Sequence, residues 1–331
     1  MKNRRIARIA AAAFLAGISI SGKRVQERSI ARFIATVTGG LLLLPSMVSA
    51  QDLEPRTYTN IPVGQNFLGA GYIYSKGDLN PSASAPFTDA KLTADGPAVA
   101  YVRSLDLAGK AGKLDLSWAR LCFDGSATAT SGEKVEGDRC GTADPAVRLS
   151  YLFYGAPALT MQEFRQQPAR RVIGASLAVR APWGDYNNDN LINSGTNRWS
   201  VKPEIGISNV YGNWSVESSL AVSLYTDNDR FAGHRKLEQD PLYQVQAHLI
   251  YALPGQRWIS LNGNYFWGGE SQVNGKSSND RQRNSRLGIT YSTPLTASQS
   301  VKFYASRGVV TRVGNDFDTF GVVWQYRWAD E

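Results

Sequence analysis

The sequence near the C-terminus reads Thr319-Phe320-Gly321-Val322-Val323-Trp324-Gln325-Tyr326-Arg327-Trp328. Every second residue from Phe320 to Trp328 is apolar, and the last three of these are aromatic. The opposite face is mainly polar and carries Gln325 and Arg327. Side chains of a strand alternate between two faces, and an apolar face ending in aromatic residues is typical of a barrel strand that faces lipid. An amphipathic strand of a soluble sandwich is the alternative.

The same stretch also resembles a membrane-insertion signal. The spacing of Thr319, Gly321, Trp324 and Tyr326 is like that of the C-terminal signal by which outer-membrane barrels are recognised for insertion. The barrel-assembly machinery is therefore an expected partner.

Residues 1–50 have the composition of a secretory signal peptide. They contain eight basic residues and one acidic residue, an apolar core at residues 41–44, and the small-residue ending Val48-Ser49-Ala50. We predict export, with cleavage after Ala50. Because this segment holds seven of the eight net positive charges of the chain, the exported part is almost neutral, and a nucleic-acid partner is not expected.

The exported part divides into short alternating strands. None of it has the roughly 18–20 consecutive apolar residues that a membrane helix needs. Long polar stretches alternate with tight turns such as Ala108-Gly109-Lys110 and Pro254-Gly255-Gln256. Outer-membrane barrels have this asymmetry, whereas a soluble sandwich does not require it. We predict an all-β protein, a monomeric transmembrane antiparallel β-barrel of about 12 strands over residues 65–331, in contact with lipid in the outer membrane of a Gram-negative bacterium.

The predicted barrel has a lead-in and several long connections. Residues 51–64 precede the first strand and are predicted to form a periplasmic N-terminal lead-in. Long polar connections are predicted to be loops at residues 76–94, 123–144, 183–197, 227–240 and 269–283. A barrel of this size lies between eight-stranded barrels filled by side chains and open porins of about sixteen strands. We therefore expect a narrow pore, and residues 52–64 are a candidate plug.

The strand faces opposite to the lipid should line the lumen. The ionisable candidates there are Arg148, Arg180, Lys202, Glu204, Glu217, His248, Arg286, Lys302 and Arg327. Opposite charges on neighbouring strands can pair and rigidify the lumen, or the charges can select solutes along a wetted path, and the sequence leaves both interpretations open. Arginines on such a path would favour anionic solutes such as aromatic carboxylates. Neutral phenols would depend more on aromatic residues placed inward, which are Tyr154, Phe266 and Tyr304.

Cys122 and Cys140 are the two cysteines of the chain, and they flank one predicted external loop. In an exported protein such a pair predicts a disulfide.

No metal site or cofactor is expected. The spacing Asp185-x-Asn187-x-Asp189 matches the first ligands of a calcium loop. However, Asn190 stands where glycine is required, and Thr196 stands where the loop needs a bidentate acid.

Five strings along the exported part resemble one family. They are LINSGTNRW (191–199), YTDND (225–229), EQDP (238–241), QRNSRLG (282–288) and DFDTFG (316–321). They are similar to segments of the family named for the MetA pathway of phenol degradation, which comprises outer-membrane transporters associated with aromatic catabolism. The resemblance extends from about Glu54 to Trp328. It implies a barrel and a transport role, and it names no binding residues.

With this resemblance, the predicted function is an outer-membrane channel for passive uptake of small hydrophobic or aromatic solutes. One alternative is a structural or adhesive surface barrel whose external loops carry the function. A second alternative is a barrel phospholipase. The chain has two histidines, His234 in a predicted loop and His248 facing the lumen, and the sequence specifies no Ser–His pairing, so an enzyme is not expected.

Overall fold

The computed structural model describes residues 53–80, 87–129, 131–168, 170–190 and 192–330. The predicted signal peptide and its cleavage site lie outside the described residues. In the described ranges, no helix has both the length and the apolar character needed to cross a membrane.

Seventeen strands and one helix, numbered in chain order, are found in the described part. They are β1 (Gln65–Asn80), β2 (Phe87–Leu107), β3 (Lys110–Ala129), β4 (Lys134–Thr142), β5 (Ala146–Tyr154), α1 (Met161–Gln166), β6 (Val172–Arg180), β7 (Ser200–Tyr211), β8 (Trp214–Tyr225), β9 (Asn228–Phe231), β10 (Arg235–Gln239), β11 (Leu242–Leu253), β12 (Arg257–Gly268), β13 (Ser271–Val273), β14 (Lys276–Ser277), β15 (Gln282–Pro294), β16 (Gln299–Val310) and β17 (Gly314–Ala329). Twelve strands form a closed antiparallel barrel in the order β1, β2, β3, β5, β6, β7, β8, β11, β12, β15, β16 and β17, and β17 pairs with β1. The predicted barrel of about 12 strands is confirmed.

The barrel carries its apolar residues outside and its polar residues inside. On β12, Leu261 and Tyr265 are 58% and 45% exposed, whereas Asn262 and Asn264 are 1% and 4% exposed. A soluble protein buries apolar side chains and exposes polar ones, so this arrangement is reversed. A surrounding lipid phase accounts for the reversal, because the outward faces then contact acyl chains. The soluble sandwich is therefore excluded.

Aromatic residues border the apolar band at both ends. At the end where β1 begins and β17 ends, Tyr326 stacks on Trp328 with ring centroids 5.6 Å apart. At the opposite end, Tyr243 and Tyr265 both stack on Trp267, each with centroids 5.6 Å apart. Such girdles lie at the two membrane interfaces, and in outer-membrane barrels the end with short turns is periplasmic. The tight turns between β2 and β3 and between β11 and β12 lie at the end where β1 begins and β17 ends, so the opposite end faces the outside.

Four neighbouring strands extend well beyond the outer interface. β1, β2, β3 and β17 contain 16 to 21 residues, whereas a transmembrane strand needs about 9–11. The loops predicted at residues 76–94 and 123–144 are wrong, because most of these residues belong to strands, namely the extensions of β1, β2 and β3 and the strand β4. In the extensions the alternation is inverted: Leu92, Phe123 and Phe317 face inward and are buried in one apolar cluster.

Two further predicted loops also contain strands. Residues 227–240 and 269–283 contribute β9, β10, β13 and β14 to a second, four-stranded sheet. β4 pairs with the outer part of β3, and in this ladder Cys122 lies opposite Cys140. The two cysteines form the predicted disulfide, which therefore crosslinks a β-hairpin rather than the ends of a loop.

The periplasmic connections are tight turns with one exception. Residues 155–171, between β5 and β6, contain α1, whose N-cap Thr160 forms a capping box with Glu163. This connection breaks the predicted strict alternation of long and short connections. It also contacts the lead-in, because the Val63 N–H donates to the Leu159 carbonyl at 2.9 Å.

Candidate functional site: the barrel lumen

The candidate lumen residues lie on inward-facing strand positions at different depths. Four are nearly fully buried, namely Glu204, Glu217, His248 and Arg286, and the other five, Arg148, Arg180, Lys202, Lys302 and Arg327, are partly buried. Their neighbours decide which of them could meet a solute and which hold the wall together.

The N-terminal segment (residues 53–64) lies inside the barrel. Glu54 forms an ion pair with Arg148 on β5. Leu53 reaches the inner face of β15, because a Cβ added at Gly288 would lie 2.6 Å from the Leu53 Cδ1. β5 and β15 stand on opposite sides of the twelve-stranded barrel. The N-terminal segment therefore crosses the lumen instead of following one wall.

Glu217 on β8 holds the middle of the N-terminal segment. Its Oε2 accepts a hydrogen bond from the Arg56 N–H at 2.7 Å, and its Oε1 accepts one from the Thr59 hydroxyl at 2.9 Å. A third bond comes from the Ser208 hydroxyl of the wall at 3.1 Å. Because the Glu217 side chain is only 1% exposed, these bonds are shielded from water. Hydrogen bonds to a charged acceptor in such a place are among the stronger ones in proteins.

Tyr58 fixes the N-terminal segment against β6 and β7. Its hydroxyl donates to the Glu204 Oε1 at 2.9 Å, and its ring is 2% exposed. The ring occupies space left by two wall glycines: a Cβ would lie 2.1 Å from the ring at Gly206 and 3.1 Å from it at Gly174. Glycine within a strand often marks such a close approach.

Three basic side chains act on the Glu54 carboxylate, and one of them, Arg148, is ion-paired with it. Burial raises the pKa of this carboxyl, but the positive charges of Arg148, Lys202 and Lys302 outweigh burial and lower the pKa to about 2. Glu54 is therefore ionised at physiological pH. The Arg148 guanidinium, with the positive charges of Lys202 and Lys302 acting on the same carboxylate, is chemically suited to bind a carboxylate.

Three other arginine candidates mainly fix the wall. Arg180 donates to the carbonyl of Asp144 at 3.4 Å, and Arg327 donates to the carbonyl of Ala297 at 2.9 Å in the turn before β16. Arg286 donates to a carbonyl of β17. For these three, the contacts support the interpretation that charges rigidify the barrel.

The aromatic candidates differ from one another. Phe266 is 1% exposed on the inner face of β12, and the ring of Tyr304 faces inward over Gly321. The inward placement of Tyr154 is wrong, because this side chain is 57% exposed. The register between β5 and β6 shifts after Tyr151, and this irregularity turns Tyr154 to the outside.

The residues considered for metal binding and catalysis have other partners. Asp185 of the calcium-like string accepts a hydrogen bond from the Thr142 N–H at 2.7 Å. His248 contacts the Asn262 Oδ1 at 3.0 Å through its Nδ1. Within the described ranges, no three His, Cys, Asp or Glu side chains are grouped closely enough to hold a metal ion.

The apolar band, the aromatic girdles and the polar interior define a class, the outer-membrane β-barrels of Gram-negative bacteria. The chain belongs to the family described as "Putative MetA-pathway of phenol degradation", whose model matches residues 63–326. The family expected from the sequence strings is thereby confirmed.

Solved structures agree with this fold. The crystal structure of an outer membrane channel from Pseudomonas putida F1 is 24% identical, with a TM-score of 0.66, and the match covers 84% of this chain and 100% of that one. The transport unit of the autotransporter AIDA-I from Escherichia coli is 11% identical, with a TM-score of 0.50, over 81% of this chain and 92% of that one. At these identities the likeness concerns the fold alone. None of the curated proteins compared with the chain matches it.

Proposed function

We propose that this protein is an outer-membrane channel for the passive uptake of small aromatic or otherwise hydrophobic compounds, and that it favours those that carry a carboxylate. The observation that carries the proposal is the ion pair between Arg148 and the carboxylate of Glu54, on which the positive charges of Lys202 and Lys302 also act. Glu54 belongs to the N-terminal segment and not to the wall, so its place can become free while the three basic residues stay.

Displacement of the N-terminal segment would leave Arg148, Lys202 and Lys302 on the wall of the lumen, with Arg148 still paired through its Nε to Asp115 of β3 at 3.4 Å. A guanidinium group binds a planar carboxylate with two parallel hydrogen bonds, so Arg148 is suited to a benzoate-like anion. Tyr304, which is partly exposed over Gly321, offers inward aromatic surface to the ring of such a solute, whereas Phe266 is 1% exposed and is covered by its neighbours. The segment is held by hydrogen bonds, one ion pair and the buried ring of Tyr58, and a solute carboxylate can take over the ion pair of Glu54 with Arg148.

Solute flux into proteoliposomes tests this proposal. We expect Arg148→Gln and Lys302→Gln to lower the flux of benzoate several-fold more than the flux of phenol, because the neutral solute gains little from these charges. Arg327→Gln is the matched control, since Arg327 bonds the Ala297 carbonyl at the periplasmic rim. Equal losses for benzoate and phenol would assign a structural role to Arg148 and Lys302.

A surface-anchoring function is the second candidate, and the β3–β4 hairpin favours it. This hairpin projects beyond the outer girdle and is crosslinked by Cys122–Cys140. Absence of both benzoate and phenol flux through the unmodified protein would support anchoring over transport. Hydrolysis of phospholipid by the reconstituted protein would instead support the barrel phospholipase.

A further inference from the structure

Three arginines lie together at the outer rim of β15 and β16. Arg281, Arg283 and Arg312, here named the outer arginine patch, are all exposed. Arg312 joins the two strand ends, because its Nη1 donates to the Arg281 carbonyl at 3.2 Å and its N–H donates to the Asn284 Oδ1 at 2.9 Å. The patch is therefore fixed to the barrel wall and not to a long loop.

The three members of the outer arginine patch form no ion pair with the residues that the structure describes. In the described part of the chain, the ion pairs within 4.0 Å include none of its three members. The adjacent Asp280 is 2% exposed and binds Ser271 through both carboxylate oxygens, at 2.7 and 2.8 Å. By contrast, Arg307, lower on β16, pairs with Asp318 at 3.2 Å.

Apolar surface continues up to the outer arginine patch. Arg283 is the register partner of Trp267, the central ring of the outer aromatic girdle. On β16, Val309 and Val310 are 55% and 57% exposed, and Arg312 follows two residues later. Such valines are unfavourable in water and favourable against acyl chains. The patch thus lies where the headgroups of the outer leaflet begin.

We propose that the outer arginine patch binds the phosphorylated headgroup of an outer-leaflet glycolipid, whose acyl chains cover Val309, Val310 and the Trp267 girdle. Guanidinium groups pair with phosphate through bidentate, charge-assisted hydrogen bonds. Each basic residue near a membrane surface adds about fivefold to the affinity for an anionic lipid. A free phosphate ion would contact the arginines alone, whereas a lipid contacts the arginines with its headgroup and the valines with its acyl chains. The continuous surface of arginines and valines therefore fits a lipid better than a free ion.

Binding of bisphosphorylated lipid A to the full exported chain in detergent, followed by native mass spectrometry, tests the site. We expect replacement of the three patch arginines by Gln to weaken binding by about 100-fold, and Arg283→Gln alone by about fivefold. The control variant removes the same charge from exposed sites elsewhere, through Arg139→Gln, Arg165→Gln and Arg170→Gln, and it should bind like the unmodified protein.

Three results would overturn the proposal. The first is equal binding by the patch variant and the control, with both showing the heat-modifiable migration of a folded barrel. The second is equal binding of lipid A and phosphatidylcholine by the unmodified protein. The third is displacement of lipid A by an equal concentration of inorganic phosphate, which would show an anion site without lipid selectivity. All three measurements are independent of whether the lumen conducts.

Discussion

Replacing Glu217 by Ala should release the N-terminal segment from the lumen. This carboxylate accepts two hydrogen bonds from the segment, from the Arg56 N–H at 2.7 Å and the Thr59 hydroxyl at 2.9 Å. Hydrogen bonds to a charged group contribute about 1.5–3 kcal/mol each. Because water can enter the emptied lumen and hydrate the freed donors, we take the lower end for both bonds, about 3 kcal/mol in total. The ratio of undocked to docked segment should then rise by about 100-fold.

A single introduced thiol can report this change. Cys122 and Cys140 are joined in a disulfide, so Leu53→Cys in the N-terminal segment would carry the one reactive thiol of the described residues. Its labelling by a membrane-impermeant maleimide should be about 100-fold faster with Glu217→Ala, in proportion to the undocked fraction. Conductance in planar bilayers should rise as well, because the same displacement clears the lumen.

The wall offers two graded controls. Ser208→Ala removes the third hydrogen bond to Glu217, at 3.1 Å, without touching the N-terminal segment, so its labelling should stay near the parent rate. Glu217→Gln keeps one acceptor oxygen and should fall between the parent and Glu217→Ala. Unchanged labelling and conductance in Glu217→Ala, or equal acceleration by Ser208→Ala, would refute the assigned role of this carboxylate.

Three further outcomes are expected. Gly206→Ala should displace the ring of Tyr58, since the new Cβ would lie 2.1 Å from it, and conductance should increase while the barrel still migrates as a folded species. Cys122→Ser should leave a labelled thiol at Cys140 and normal assembly, because the crosslink lies in a hairpin outside the membrane. Docking of the N-terminal segment should not change with pH above about 4.5 and should weaken below it. The pKa of Glu54 is lowered to about 2 by its basic neighbours, so the contribution of this carboxylate to docking is lost as it becomes protonated. Conductance measured between pH 8 and pH 2 checks this.

The twelve barrel strands could be predicted from sequence because lipid imposes a rule on each of them. Residues that face acyl chains are predominantly apolar, so a period of two persists even where the inner face varies. The requirement for apolar outward residues ends at the outer membrane interface. Beyond this interface the strands are surrounded by water, and Leu92 and Phe123 face inward in an apolar cluster. In the strand extensions the apolar residues face inward and the polar residues face outward. The pattern expected of lipid-facing strands is therefore missing there, and the sequence predicts loops instead.

The contacts of the lumen were less predictable. Alternation places Arg148 and Arg286 on the same inner surface, but it does not reveal that Arg148 meets Glu54 whereas Arg286 bonds a carbonyl of β17. The N-terminal segment has no strand period, so no pattern assigns a direction to Tyr58. One signal was present: Gly174 and Gly206 occupy inward positions on paired strands, and such glycines leave room for a ring from elsewhere.

Glu54 is connected to β1 by only ten intervening residues, so it competes with solutes as a tethered ligand. A short tether holds a group at an effective concentration on the order of millimolar. A free carboxylate with similar affinity for Arg148 must therefore reach about the same concentration to replace Glu54. Such weak binding suits a passive channel, because a solute that binds tightly does not leave. Millimolar benzoate should consequently accelerate labelling of Leu53→Cys, and an equal concentration of phenol should not; the same response to both solutes would show that Glu54 does not stand in for a solute carboxylate.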